Sequence, residues 1–404
     1  MIRLSIILPV SVLAASLSMP AGLLANADDA ASKPKAKATE ASAPVKDAAA
    51  PAKPKRELSP AQVALRDQVR RVLAMQQKQA FNTRDNSATE ILGYCQGFGC
   101  ATEVSDGANG KRINGITCLC WGYPCAGFEM LGYSQGRIAA QIGYGSQQHP
   151  GEFLAMLAMS RVQPDYPVRV GTDARTVADI VEAEKLACRS SADMSLALIG
   201  LSYYVDEPEW KNDLGEMWSI ERILKDEVAQ PVVTAPEGGL NRLMGLSYAV
   251  ARRAKRGQPI DGQFQRAKKY VSDFQEFAMQ LQNADGSWGP HFLTAKSTSQ
   301  DAAAQLRSTG RILEWLAMSL SDQKIEDARI GSAVEYVARL LSSQRYLSNA
   351  PALATREIVS MGRALHGLNV YDDRVFKPAD AVEEKPAAEN PSAASRNTTD
   401  SKAR

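Results

Sequence analysis

The feature that most constrains this chain is a compact segment, rich in Leu, Met and Ala, that recurs five times. The copies are FLAMLAMS from Phe153, SLALIGLSYYV from Ser195, RLMGLSYAV from Arg242, RILEWLAMSL from Arg311 and RALHGLNVY from Arg363. Each carries little charge and is apolar on more than one face of a helix, which marks a helix covered on all sides. Between them lie segments with a single apolar face, such as VADIVEAEKLACR, FQRAKKYVSDFQEFAMQLQ and IGSAVEYVARLLSSQ. Buried helices recurring every roughly 40 to 70 residues read as a repeated helical hairpin, because one hairpin alone cannot cover its own apolar face. Uneven spacing and apolar inner helices favour a closed ring, with the buried helices inside, over an open solenoid. Low aromatic content, 6%, leaves the core to aliphatic residues, which suits packed helices.

Both ends of the chain read differently. Residues 1–27 have the three parts of a cleavable signal peptide: Arg3, an apolar run from Ile6 to Leu17, and the small-x-small site Ala25-Asn26-Ala27. Pro9, Pro20 and Gly22 interrupt that run, which argues against an anchor that needs about 20 good apolar residues. The expected location is therefore outside the cytoplasm, periplasmic or secreted, with no transmembrane segment after cleavage. Residues 28–57 are an Ala/Lys/Pro linker and residues 377–404 a similar tail; neither holds enough apolar surface to offset the entropy of ordering. The folded part is expected over 58–376. Its opening Ser59-Pro60-Ala61-Gln62 is a capping box, and Ser87-x-x-Glu90 is a second, starting a short helix before Cys95. Residues 93–150, rich in Gly and Cys, lack periodicity and are expected as irregular loops with short elements. Residues 151–376 hold the helical repeats.

One segment carries a resemblance. In FAMQLQNADGSWGPHF, Gln282, Gly286 and Trp288 fall where the QW motif of squalene and oxidosqualene cyclases has Gln, Gly and Trp. With the repeats, the chain resembles the α/α-toroid (terpenoid cyclase and prenyltransferase-like) superfamily over about 151–376. The resemblance implies an all-α fold, an α/α toroid of paired helices, with a structural turn at Gln282–Trp288. The blocks NGITCLCWGYPCAGFE, RTVADIVEAEKLACRS and WKNDLGEMWSIERIL are similar to a family of uncharacterised exported bacterial proteins, which brings no activity with it.

The chemistry of toroid relatives can be tested residue by residue. A cyclase that protonates an alkene needs an Asp-rich acidic cluster; the nearest pair, Asp372-Asp373, ends the last helix and reads as a solvated helix end. A prenyltransferase-like zinc site needs Asp-x-Cys and a distant His; the motif is missing and the chain has three histidines, His149, His291 and His366. No Cys-Gly-Glu-Gln thioester motif occurs. Cys95, Cys100, Cys118, Cys120 and Cys125 do not have the C-x2-C knuckles of zinc sites. In an oxidising compartment they are expected to form two or more disulfides, with the pairing open. Neither a metal nor a cofactor is called for. A formal net charge of +2 gives no reason to expect nucleic acid.

What remains is polar residues on the buried helices. Arg311 and Glu314 are three apart and share one side of a helix, and His366 lies on the next buried helix. The leading expectation is an exported binding scaffold with a central cleft, its ligand an extracellular glycan or cell-envelope component. The alternative is a cavity enzyme resembling a polysaccharide lyase, in which Glu314 and His366 act as acid and base and Arg311 steadies a carboxylate. Whether the protein is an enzyme is left open by the sequence; convergence of these three side chains in an open pocket would separate the readings.

Overall fold

In the computed structural model, residues 57–377 are described, apart from positions 191 and 349. The expected signal peptide, the linker up to residue 56 and the tail from residue 378 lie outside the described residues. Among the described residues are thirteen α-helices and eight short strands, the strands paired as four antiparallel hairpins. The fold is mostly helical, and no described helix is long and apolar enough to cross a membrane.

The chain enters through α1 (Pro60–Gln76), whose capping box forms as the sequence implies: Ser59 Oγ accepts from the Gln62 N–H, and the Gln62 side chain accepts from the Ser59 N–H. The Ser87 and Glu90 pair caps α2 (Ala88–Phe98) in the same way. Here the structure departs from the sequence reading, which counts buried helices only from Phe153 onward. Nine of the eleven residues of α2 are buried. Its two glycines disguise it, because they remove apolar side chains from a closely packed face. A Cβ on Gly93 would lie 2.9 Å from the Val359 backbone, and one on Gly362 only 1.7 Å from the Gly93 carbonyl oxygen.

The Gly- and Cys-rich segment holds a hairpin of β1 (Glu103–Ser105) and β2 (Arg112–Asn114), the short helix α3 (Gly115–Cys120), and a hairpin of β3 (Leu131–Ser134) and β4 (Arg137–Ala140). The expected disulfides are not formed. No disulfide joins any two of Cys95, Cys100, Cys118, Cys120, Cys125 and Cys188. The Cys118 and Cys125 sulfurs lie 3.6 Å apart, well beyond the ~2.05 Å of a bond. Spacing read as loop becomes helix: on α3, Cys118 and Cys120 are turned about 200° from one another, so they cannot serve one partner.

The repeats follow as α4 (Glu152–Met159), β5 (Pro167–Val170) with β6 (Asp173–Thr176), α5 (Val177–Ala187), α6 (Ala197–Tyr204), β7 (Trp210–Lys211) with β8 (Met217–Trp218), α7 (Ile220–Val228), α8 (Leu240–Lys255), α9 (Gly262–Leu281), α10 (Ala302–Ser319), α11 (Ala328–Leu341), α12 (Gln344–Ser348) and α13 (Thr355–Tyr371). The hairpins inside the repeats were not expected; β5 and β6 join through the two-residue loop Gly171-Thr172. α2 packs on α13 and α4, α4 on α6, α6 on α8, α8 on α10, and α10 on α13. The amphipathic helices cover them: α1 meets α11 and α13, α5 meets α6, α7 and α9 meet each other and α8, and α11 meets α10.

The turn after α9 is held by side-chain hydrogen bonds and close backbone packing. Gln282 Nε2 donates to the carbonyl oxygens of Gly286, at 3.0 Å, and Arg329, at 2.9 Å. Gly286 has φ +89°, and a Cβ there would fall 2.4 Å from the Ser332 carbonyl oxygen. Trp288 is fully buried, and its indole N–H donates to the Ala278 carbonyl at 2.7 Å. The amide thus ties two chain segments together at the start of α11, which no helix backbone could do for itself.

Candidate functional site

Residues of two buried helices, and of the loops that lead into two others, meet at one cleft of about 640 Å³. α10 lends Arg307 and Arg311, α13 lends Arg356 and Arg363, the turn before α8 lends Glu237, and the loop before α4 lends His149. His291 and Phe292, just after the Trp288 turn, complete the wall.

The floor is a buried ion network. Arg311 Nη1 donates to Glu314 Oε2 at 2.9 Å, while Nη2 pairs with Glu237 Oε2 at 3.2 Å and donates to Asn241. Arg363 Nη2 donates to Glu152 Oε1 at 2.8 Å, and its Nη1 lies 3.9 Å from Glu314. His366 Nδ1 lies 2.9 Å from Glu314 Oε1. The three residues singled out from sequence therefore come together around one carboxylate. Arg311 reaches the cleft; Glu314 does not line it and is wholly enclosed. Burial alone would raise the Glu314 carboxyl, but the His366 hydrogen bond and the Arg311 and Arg363 charges outweigh it and hold it down to about 2. Such a group stays ionised at neutral pH and cannot supply a proton. Its surroundings are those of a satisfied structural ion pair.

The walls differ from the floor. Arg311 and Arg363 already have carboxylate partners in Glu152, Glu237 and Glu314, three carboxylates for two guanidinium groups. No carboxylate among the described residues pairs with Arg307 or Arg356. Arg307 leans over the Phe292 ring, 5.5 Å from its centroid, and its buried Nε has no hydrogen-bond partner.

Strained backbone collects here too. Glu237, Gly238 and Gly239 have φ of +52°, +65° and +72°, and Phe292 has +50°. A left-handed Glu or Phe costs about 1–3 kcal/mol and persists only where the surroundings impose it. Here the turn holds Glu237 against Arg311, with Gly238 and Phe292 in contact range: a Cβ on Gly238 would lie 2.5 Å from that of Phe292. Burial raises the Glu237 carboxyl, yet it sits below the ordinary value because Arg311, Arg363 and His149 outweigh burial.

No family model matches this chain, and no curated protein or solved structure does either. Function must come from the cleft itself. No cluster of three or more His, Cys, Asp or Glu among the described residues could hold a metal ion.

Sequence reasoning missed Arg307, Arg356, Arg363, Glu152 and Glu237. A signal for part of this set was present: three of the buried segments begin with Arg, at 242, 311 and 363, and a guanidinium at the head of an almost uncharged helix needs a buried partner. Arg242 finds Glu227 at 2.8 Å, away from the cleft. Which Arg joins which Glu depends on which helix ends meet, and spacing does not reveal that.

Proposed function

We propose that residues 58–376 form an exported α/α toroid that acts as a binding scaffold, with the cleft over the buried ion network receiving an anionic ligand. The ring reading is supported by the order of helix contacts, which runs α2, α4, α6, α8, α10, α13 and returns to α2. The ligand reading is carried by one observation: Arg307 and Arg356 line the cleft without carboxylate partners among the described residues, above a floor whose two guanidinium groups are already paired. A carboxylate, sulfate or phosphate on an extracellular glycan or envelope component suits two free guanidinium groups, which bind two oxygens of such an anion through paired N–H donors.

Binding is favoured over acid–base chemistry because Glu314 is enclosed and held ionised. The test is titration calorimetry of the full chain with acidic oligosaccharides and neutral ones of equal length. Acidic ligands bind, and Arg307→Gln with Arg356→Gln weakens them at least about tenfold, as loss of charge-assisted hydrogen bonds requires. Equal binding of neutral and acidic chains would overturn the reading. Release of unsaturated product, read by ultraviolet absorbance, would replace it with the lyase-like alternative through Glu314, His366 and Arg311.

A further inference from the structure

A second cleft of about 600 Å³ adjoins the first. Gln148 lines both, and the consecutive residues Thr355 and Arg356 at the start of α13 line one each. We propose that the two clefts are one groove, and that its ligand is an oligosaccharide in which an acidic sugar is followed by a neutral one. The acidic sugar lies at Arg307 and Arg356; the neutral ring lies on Tyr144. This inference rests on the anion-binding reading of the first cleft.

Two observations select that chemistry. The first is the aromatic platform. Tyr144 is 91% exposed, and an aromatic ring left so bare on an ordered loop is a common mark of a binding surface. The loop is built to hold it there. Tyr144 meets the Phe128 ring edge to face, with centroids 5.3 Å apart. A Cβ on Gly145 would strike that ring at 2.2 Å, so glycine is needed for the contact. The Gly145 carbonyl accepts from the Thr89 N–H at 3.1 Å, and Thr89 Oγ1 donates to the Ser146 carbonyl, fastening the loop to the start of α2. A flat ring with an apolar face and polar edges, as a pyranose has, can stack on Tyr144.

The second observation is a change of charge along the groove. The first cleft has free cations, whereas the second is lined by Asp85 and Glu90 and has no Lys or Arg in its wall. A uniformly anionic polymer would meet like charge there. Sugar hydroxyls can instead donate to carboxylate oxygens. One negative charge next to an uncharged, hydroxyl-rich ring satisfies both halves.

The experiment compares, on the full chain by calorimetry, glucuronic acid, a tetrasaccharide alternating glucuronate with N-acetylhexosamine, a tetragalacturonate, and an acidic peptide of equal charge. The alternating tetrasaccharide binds at least about tenfold more tightly than glucuronic acid and than the tetragalacturonate. Tyr144→Ala removes that gain; the side chain is exposed, so the fold does not depend on it. Arg307→Gln weakens every acidic ligand. No gain from the alternating chain, a gain that survives Tyr144→Ala, or tighter binding of the peptide overturns the proposal. Failure of all anions to bind, with Arg307→Gln silent, instead overturns the reading of the first cleft, so the two failures are distinguishable.

Discussion

Glu314 shows how one side chain can look catalytic in sequence and structural in three dimensions. A carboxylate three residues from an Arg, with a His on a neighbouring helix, has the composition of an acid–base site. Complete enclosure by Arg311, Arg363 and His366 turns it into the keystone of an ion network. Glu314→Gln leaves two guanidinium groups buried with one fewer countercharge and is expected to cost about 3–5 kcal/mol, measured by denaturant unfolding. The pH dependence follows from the depressed value of about 2. Between the ordinary carboxylate value of about 4.3 and that value, the unfolded chain binds the proton and the folded one does not. The stabilisation is therefore full above this window and lost as pH falls through it. Glu314→Gln should flatten the stability profile of the protein over that range; an unchanged slope would show that Glu314 is not held ionised.

At the scale of single elements, caps and turns follow from local sequence, while thiol chemistry does not. Both capping boxes form where their motifs stand. The turn at Gly286 needs a positive φ and has a neighbouring carbonyl where a Cβ would go. Gly286→Ala is expected to lower stability by more than about 1 kcal/mol, read as a shift in the denaturant midpoint without a change in slope. For the cysteines, burial pushes Cys188 up to about 12, and it pushes Cys95 and Cys120 up as well. A thiolate is the reactive form. Thiol reagent should therefore react slowly with the native protein and count six thiols after unfolding without reductant. A count of two or fewer would restore the two or more disulfides expected from the sequence.

For the molecule as a whole, the decisive contact is the one between α2 and α13, residues far apart in sequence brought to backbone distance by Gly93 and Gly362. It sets α13, which carries Arg356 and Arg363 of the cleft wall, against α2. Gly362→Val would force these helices apart. It is expected to destabilise the domain by several kcal/mol, at least about 2, because packing on both faces of α13 must shift. It should also weaken acidic ligands, since Arg356 and Arg363 ride on that helix. Thermal unfolding and calorimetry check the two effects separately.

Taken alone, the amino-acid sequence determined that the domain is helical, where its capped helices begin, and which five segments are too apolar to face water. All of these are set by a window about one helix long, within which period and side-chain type report burial directly. The tertiary structure decided the rest: that α2 is a sixth buried helix, that Glu314 is enclosed, and that Arg307 and Arg356 line a cleft without an ion-pair partner among the described residues. Those outcomes depend on which helix ends are neighbours. A glycine reads as a break until the backbone it admits is seen, and a charge has no partner until the fold supplies one.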